Sequence, residues 1–88
     1  MSLVSIVITC FNAQETIERA VLSAISQDWV DKEIIIIDDF SNDKSYKILS
    51  KIVQKNPKIT LIRHNSNQGY PAALNTAIKE TNGEFIAI

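Results

Sequence analysis

The 88-residue chain has room for one domain, and its 45% hydrophobic and 22% charged residues describe a globular protein that is neither disordered, collagenous nor membrane-spanning. Nine basic against ten acidic residues leave a formal charge of -1, which gives no electrostatic reason to expect nucleic acid or an anionic membrane surface. With one His, Cys10 as the only Cys, and Gly69 and Gly83 as the only glycines, the chain cannot build an HExxH zinc site, a zinc ribbon, a GxGxxG dinucleotide loop or a GxxxxGK phosphate loop.

Residues 1–4 run straight into an apolar segment, with no basic stretch and no small-residue cleavage site, so they do not read as a signal peptide. A single thiol cannot form an internal disulfide and suits a reducing compartment, and a cytoplasmic location is expected. Residues 5–9 are β-branched and apolar, the first predicted strand. Asn12 and, three residues on, Glu15 have the spacing of a capping box, which predicts a helix over 13–27. Its core face holds Ile17, Ala20, Val21, Ala24 and Ile25. Trp29 is expected to plug the gap between that helix and the next strand. Four consecutive isoleucines, 34–37, do not alternate with polar residues, so this second strand is expected to be buried on both faces, as central parallel strands are.

A second helix, capped by Ser41 or Asn42, carries Tyr46, Leu49, Ile52 and Val53 inward before Asn56-Pro57 stops it. Lys44, Lys47, Lys51 and Lys55 read as its solvated outer face. The third strand covers 59–63. A third helix over about 71–81 turns Ala73, Leu74, Ala77 and Ile78 inward and ends at Asn82-Gly83, read as a C-cap pair. Residues 84–88 begin a fourth strand. A β-α-β-α-β-α-β order predicts an α/β fold, a parallel sheet with right-handed crossovers and helices on both faces. Because the chain stops inside an apolar strand, residues 1–88 are expected to be the amino-terminal part of a larger domain, and the exposed fourth strand is expected to favour self-association.

In a parallel sheet the residues just after each strand converge on one edge. Here they are Thr9, Cys10, Phe11 and Asn12, then Asp38 through Ser41, then His64 through Gly69. Asp38 and Asp39 are the sharpest feature, since two adjacent carboxylates at the end of an all-Ile strand sit beside a low-dielectric core and need donors or a cation. If the strand geometry continues, one faces the crevice while the other braces a neighbouring loop or caps the second helix. Plain strand termination with capping explains the same pair. Cys10 reads as a small buried hydrophobe rather than a nucleophile. His64, with no motif partner, reads as a surface or loop histidine.

Residues 5–12 (SIVITCFN), 36–43 (IIDDFSND) and 67–77 (NQGYPAALNTA) together resemble the opening of glycosyltransferase family 2, whose members commonly read VSIVIPxYN, VDDGSxD and NxGxxxARNxG in that order. The resemblance covers essentially the whole chain. It implies a Rossmann-like GT-A fold, here spanning the part up to the fourth strand, that binds a nucleotide sugar, usually a UDP-sugar. It also implies sugar transfer to an acceptor hydroxyl, on a saccharide or a lipid-linked acceptor, with inversion at the anomeric carbon. By the same resemblance Thr9, Phe11 and Asn12 form the loop beside the nucleotide, and Phe11, standing where the family often has Tyr, keeps the stacking surface for uracil. Asp39 accepts a hydrogen bond from the base and Asp38 is more structural. Gly69 lets its loop approach the ligand, and Ala73 keeps the third helix close. Leu74 stands where the family often has Arg, so the contact that Arg supplies is missing here. The family's DxD element, which holds Mg or Mn against the diphosphate, follows the fourth strand, and its catalytic base lies further on. Asp38-Asp39 follows the second strand and is not that element. No catalytic residue and no metal ligand are therefore expected within 1–88, and the stretch alone is expected to be inactive. The rivals are a non-catalytic interaction domain that retains the fold and a receiver-like signalling module, which needs an acidic pair after the first strand and an Asp after the third, where this chain has Thr9-Cys10 and His64-Asn65.

Overall fold

The computed structural model describes residues 2–28 and 31–88. The strands are β1 (Val4–Cys10), β2 (Lys32–Asp38), β3 (Ile59–Arg63) and β4 (Phe85–Ala87), and the helices are α1 (Ile17–Ile25), α2 (Ser45–Lys55) and α3 (Tyr70–Lys79). All pairings are parallel and the sheet order is β3-β2-β1-β4. The predicted α/β architecture is the observed one. The position expected of Trp29 lies outside the described residues.

The period-2 alternation of side chains divides the sheet into two faces. Ile6 and Cys10 of β1, Ile34 and Ile36 of β2 and Ile59 of β3 pack with Ile17, Val21 and Ala24 of α1 and Leu49 and Ile52 of α2. The opposite face is thinner, with Val7, Ile35 and Ile37 under Ala73 and Ala77 of α3. The isoleucine run of β2 thus feeds both faces alternately, which is why it shows no polar position. On the thin face the small side chains of Ala73 and Ala77 bring α3 close to the strands.

All three helices differ from the sequence expectation at their boundaries. Residues 14–16 form a turn and α1 begins at Ile17, with Thr16 before it making no side-chain cap. Asn12 is not a helix cap, because its Oδ1 accepts the amide of Asn42 across the sheet edge (2.9 Å). The capping-box pattern loses to these tertiary bonds: the amides of Ala13 and Gln14 donate to Ser45 Oγ and Asp43 Oδ2. Neither Ser41 nor Asn42 caps α2; Asp43 Oδ1 instead accepts the amide of Ser45 in its first turn (2.8 Å). The third helix starts at Tyr70 and ends at Lys79, so Asn82-Gly83 is not its C-cap, and Ile78 is exposed rather than inward.

Gly83 has a different task. A Cβ built there would lie 2.5 Å from Ser5 Oγ and 2.8 Å from the carbonyl oxygen of Leu3, so only glycine lets the chain pass β1 into β4. The contact is secured by polar bonds at the amino edge of the sheet. The Gly83 amide donates to Ser5 Oγ (2.9 Å), which donates to Glu33 Oε2 (2.6 Å), and the Asn82 amide donates to the same oxygen (2.6 Å). β4 leaves Phe85 and Ile86 exposed at the sheet edge.

Candidate functional site

At the carboxyl edge, Asp38 and Asp39 continue the alternation of β2 onto opposite faces, and each is met by a separate donor set. Asp38 lies on the face of Ile34 and Ile36 and is fully buried. The Ser41 hydroxyl donates to its Oδ1 (2.7 Å), the Ser41 amide donates to Oδ2 (3.0 Å), and Arg63 Nε stands 3.4 Å from Oδ2. Arg63 in turn lies over the rings of Phe40 (5.1 Å) and Tyr46 (4.6 Å) and donates through Nη2 to the Ser41 carbonyl (2.9 Å). Phe40 takes φ 64°, unusual for a bulky residue, and this arginine contact is what the strained turn provides. Asp38 is a brace: it folds the turn after β2 back against the strand.

Asp39 lies on the α3 face and organises the loop after β3. Its Oδ1 accepts the Gln68 amide (2.9 Å) and its Oδ2 the Gly69 amide (2.9 Å), with Asn67 Nδ2 at 3.2 Å from Oδ2. His64 Nδ1 stands 2.8 Å from Oδ1. Burial opposes the charge, yet the Gln68 amide, His64 and the Gly69 amide outweigh it and hold the carboxyl below its ordinary value. Asp39 is therefore an anion at neutral pH. His64 is itself buried and also meets Thr76 Oγ1 (2.8 Å), which corrects the expectation of a surface or loop histidine without a partner. Its partners lie 25 and 12 residues away in sequence.

Beside Asp39 is a cleft of about 240 Å³ lined by Thr9, Cys10, Phe11, Asp39, Asn67, Gly69, Tyr70 and Ala73. Five of the seven residues singled out in the sequence, Thr9, Phe11, Asp39, Gly69 and Ala73, meet here. Asn12 and Asp38 do not line it. Asn12, at φ 49°, instead ties the loop after β1 to the loop after β2, through its Oδ1 and through its amide, which donates to Ser41 Oγ (2.9 Å). Phe11 and Tyr70 are exposed aromatic rings on the lining; Tyr70 and Asn67 lie within the 67–77 stretch but were given no site role from the sequence. Tyr70 follows Gly69 and Asn67 stands two residues before it; the φ of 95° at Gly69 supplies the turn at the foot of α3, so proximity to that glycine was the available signal. The side chain of Cys10 packs on the α1 and α2 face, where burial, together with the nearby Asp38 charge, pushes its thiol up despite hydrogen bonds from Ser45 and Ser41. It is a buried small side chain and not a nucleophile.

The cleft is smaller than the roughly 300–1,000 Å³ of a typical ligand pocket and has room for one ring system, with an anionic acceptor beside exposed aromatic surface. A larger groove, about 350 Å³, opens at the opposite edge among Ile25, Lys32, Ile34, Lys55, Asn56, Pro57, Lys58 and Ile59. It gathers no set of convergent acceptors, and the Lys32 ammonium is already engaged by the carbonyls of Ile25 and Gln27. No group of three or more His, Cys, Asp or Glu side chains comes together among the described residues. Asp38 and Asp39 do not fit a divalent cation, since they stand on opposite faces of the strand and neither belongs to a group of three or more His, Cys, Asp or Glu side chains among the described residues.

A parallel sheet with helices on both faces and a crevice at the strand ends defines a Rossmann-like domain. The model of the family "Glycosyl transferase family 2" matches residues 5–88, and the chain belongs to that family. It is 42% identical over 87 residues to the UDP-Glc:alpha-D-GlcNAc-diphosphoundecaprenol beta-1,3-glucosyltransferase WfaP of Escherichia coli, a match covering 99% of this chain and 34% of that protein. Among solved structures, the mannosyltransferase PcManGT of Pyrobaculum calidifontis, in complex with GDP-Man and Mn2+, superposes with a TM-score of 0.87 at 24% identity, covering 94% of this chain and 25% of that one. S. aureus TarS 1-349 in complex with UDP gives 0.83 at 26% identity, covering 98% and 26%. The chain spans about a third of the length of the curated relatives it matches first.

Proposed function

We propose that the protein is a glycosyltransferase that moves a sugar from a nucleotide-sugar donor, a UDP-sugar, to an acceptor hydroxyl with inversion, and that residues 1–88 supply its nucleotide-binding part. The observation that carries this reading is the cleft, where Thr9, Phe11, Asp39, Gly69 and Ala73 meet on a chain of this family. The anionic Asp39 carboxylate at its wall would take a base N–H as a shared acceptor beside the four N–H donors it already holds, and the Phe11 ring offers a face for the base to stack on. Gly69, without a side chain, leaves room for a ribose or phosphate beside the loop, and Ala73 keeps α3 from filling the same space. The glucosyltransferase and the UDP complex among the relatives support uridine as the base and a saccharide or lipid-linked acceptor.

The chemistry of transfer needs a base to deprotonate the acceptor hydroxyl and a counter-charge for the departing diphosphate. In this reading neither comes from residues 1–88. The reading therefore places the metal, Mg or Mn, and the catalytic base in a DxD element and later sequence beyond residue 88, in keeping with the Mn2+ of the mannosyltransferase complex. What this chain contributes is orientation: holding the nucleoside fixes where the anomeric carbon is presented. No described helix is long and apolar enough to cross a membrane, and we place the nucleotide-binding part in the cytoplasm. The exposed Phe85 and Ile86 edge supports self-association of the 1–88 chain, which light scattering tests. A monomer at all concentrations would remove that part of the proposal.

The test of the main reading is a UDP titration followed by amide NMR. Shifts are expected at Thr9, Asp39 and Gly69, and Asp39→Ala is expected to weaken binding about tenfold or more, the loss of a hydrogen bond to a charged acceptor. Saturable binding that moves none of these amides would overturn the assignment of the cleft.

A further inference from the structure

We infer that His64 is a positioning residue for the donor base: by joining the Asp39 carboxylate at the tip of β2 to Thr76 on α3, it sets where the acceptor oxygens stand in the cleft. The inference rests on the reading of the cleft as a nucleotide site and deepens it. The backbone of His64 is fixed to the sheet, since its amide donates to the Asp38 carbonyl (2.9 Å). Its side chain leaves β3 on the same face as Ile62, the face of Asp39 and α3. Of the donors that Asp39 gathers, three come from the exposed loop 67–69, whereas the imidazole is buried and anchored at both ends.

The proton positions follow from the partners. Asp39 is an anion and only accepts, so Nδ1 carries a proton and donates to Oδ1. The Nε2 atom faces the Thr76 hydroxyl at 2.8 Å, and that hydroxyl also lies 3.0 Å from the Ala72 carbonyl. In the neutral ring Nε2 accepts the Thr76 proton. In the imidazolium Nε2 donates to Thr76 Oγ1, and the hydroxyl turns its proton to the Ala72 carbonyl. Either way the Nδ1 bond to Asp39 is kept. The link therefore fixes the spacing between the tip of β2 and the first two turns of α3, where Ala73 walls the cleft.

The two ring nitrogens allow the role to be separated from mere stability. An Asn side chain places its amide nitrogen near the Nδ1 position, whereas a Gln reaches toward Nε2, so His64→Asn keeps the donor to Asp39 and His64→Gln keeps only the contact to Thr76. UDP binding is measured by calorimetry for the wild type, H64N, H64Q and H64A, with the Gln68 and Gly69 amide resonances recorded before nucleotide is added. H64Q and H64A are expected to weaken UDP roughly tenfold and H64N by no more than about threefold, the first being the loss of a charge-assisted hydrogen bond at the acceptor. The two amides are expected to shift in H64Q and H64A and to stay near their wild-type positions in H64N. A purely structural histidine would order the variants by melting temperature and leave the affinity of the folded protein unchanged. Wild-type affinity in H64Q, or H64N as weak as H64A, overturns the inference. Should H64Q fail to fold, Thr76→Val is read in its place, with about threefold weaker binding expected from the slackened ring and unchanged binding overturning the inference. A wild type that does not bind UDP overturns the nucleotide reading and this inference with it; a wild type that binds while every His64 variant matches it overturns this inference alone.

Discussion

The two faces of the sheet receive identical material from β2 and use it differently. On the α1 and α2 side, Ile34, Ile36 and Asp38 lie under two helices, and the acid at the end of that row is sealed by Ser41 and Arg63. On the α3 side, Ile35, Ile37 and Asp39 lie under one helix with alanines at the contact, and the acid at the end of that row borders open space. Neighbouring aspartates thus differ in task because the pleat sends them to faces of different thickness. The lesson is that a cleft can be made by thinning one face of a sheet, with no change in the strands themselves.

The largest expected effect tests the sealed side. Asp38→Ala strands the Ser41 amide and hydroxyl and frees Arg63, and should cost about 3 kcal/mol of stability while changing UDP affinity of the folded protein little. Urea denaturation beside the UDP titration would read both, and a variant that binds poorly yet unfolds normally would erase the distinction between the two acids. A smaller effect is expected from acid. Because the folded carboxyl of Asp39 is held below its unfolded value, its contribution to stability is full above about pH 4 and is lost as pH falls through the depressed folded value. The urea midpoints of wild type and Asp39→Ala should accordingly converge below pH 4; a gap that stays constant to pH 3 would mean that Asp39 is not held by these donors. The smallest effect belongs to the cleft lining: Phe11→Ala is expected to weaken UDP roughly threefold to tenfold with stability unchanged, since the ring is half exposed and loses only stacking.

Much of this division was legible in the sequence. The isoleucine run announced a strand buried on both sides, and the alternation carried through Asp38 and Asp39 placed one acid toward the crevice and one toward a brace. What was not legible came from bonds between segments far apart in the chain. Asn12 and Glu15 satisfy the local pattern of a helix start, but Ser45 and Asp43 compete for the same amides from about thirty residues away and delay the helix to Ile17. His64 carries no motif, and only its register, two residues after Ile62 on the α3 face, connects it to Asp39. Ile78 fits helical spacing yet is exposed, since α3 meets the sheet through Ala73 and Ala77.

The two glycines also set a limit on how far the chain can be stabilised from its unfolded side. Replacing Gly by Ala commonly gains about 0.4–1 kcal/mol by reducing the freedom of the unfolded chain. That gain is closed at both positions here for unrelated reasons. Gly69 has space around it but a dihedral that other L residues resist, whereas Gly83 has no such dihedral and no room for a methyl group beside Ser5. The conformational entropy these two residues surrender on folding is therefore a fixed cost of having a loop against the cleft and a fourth strand against the first.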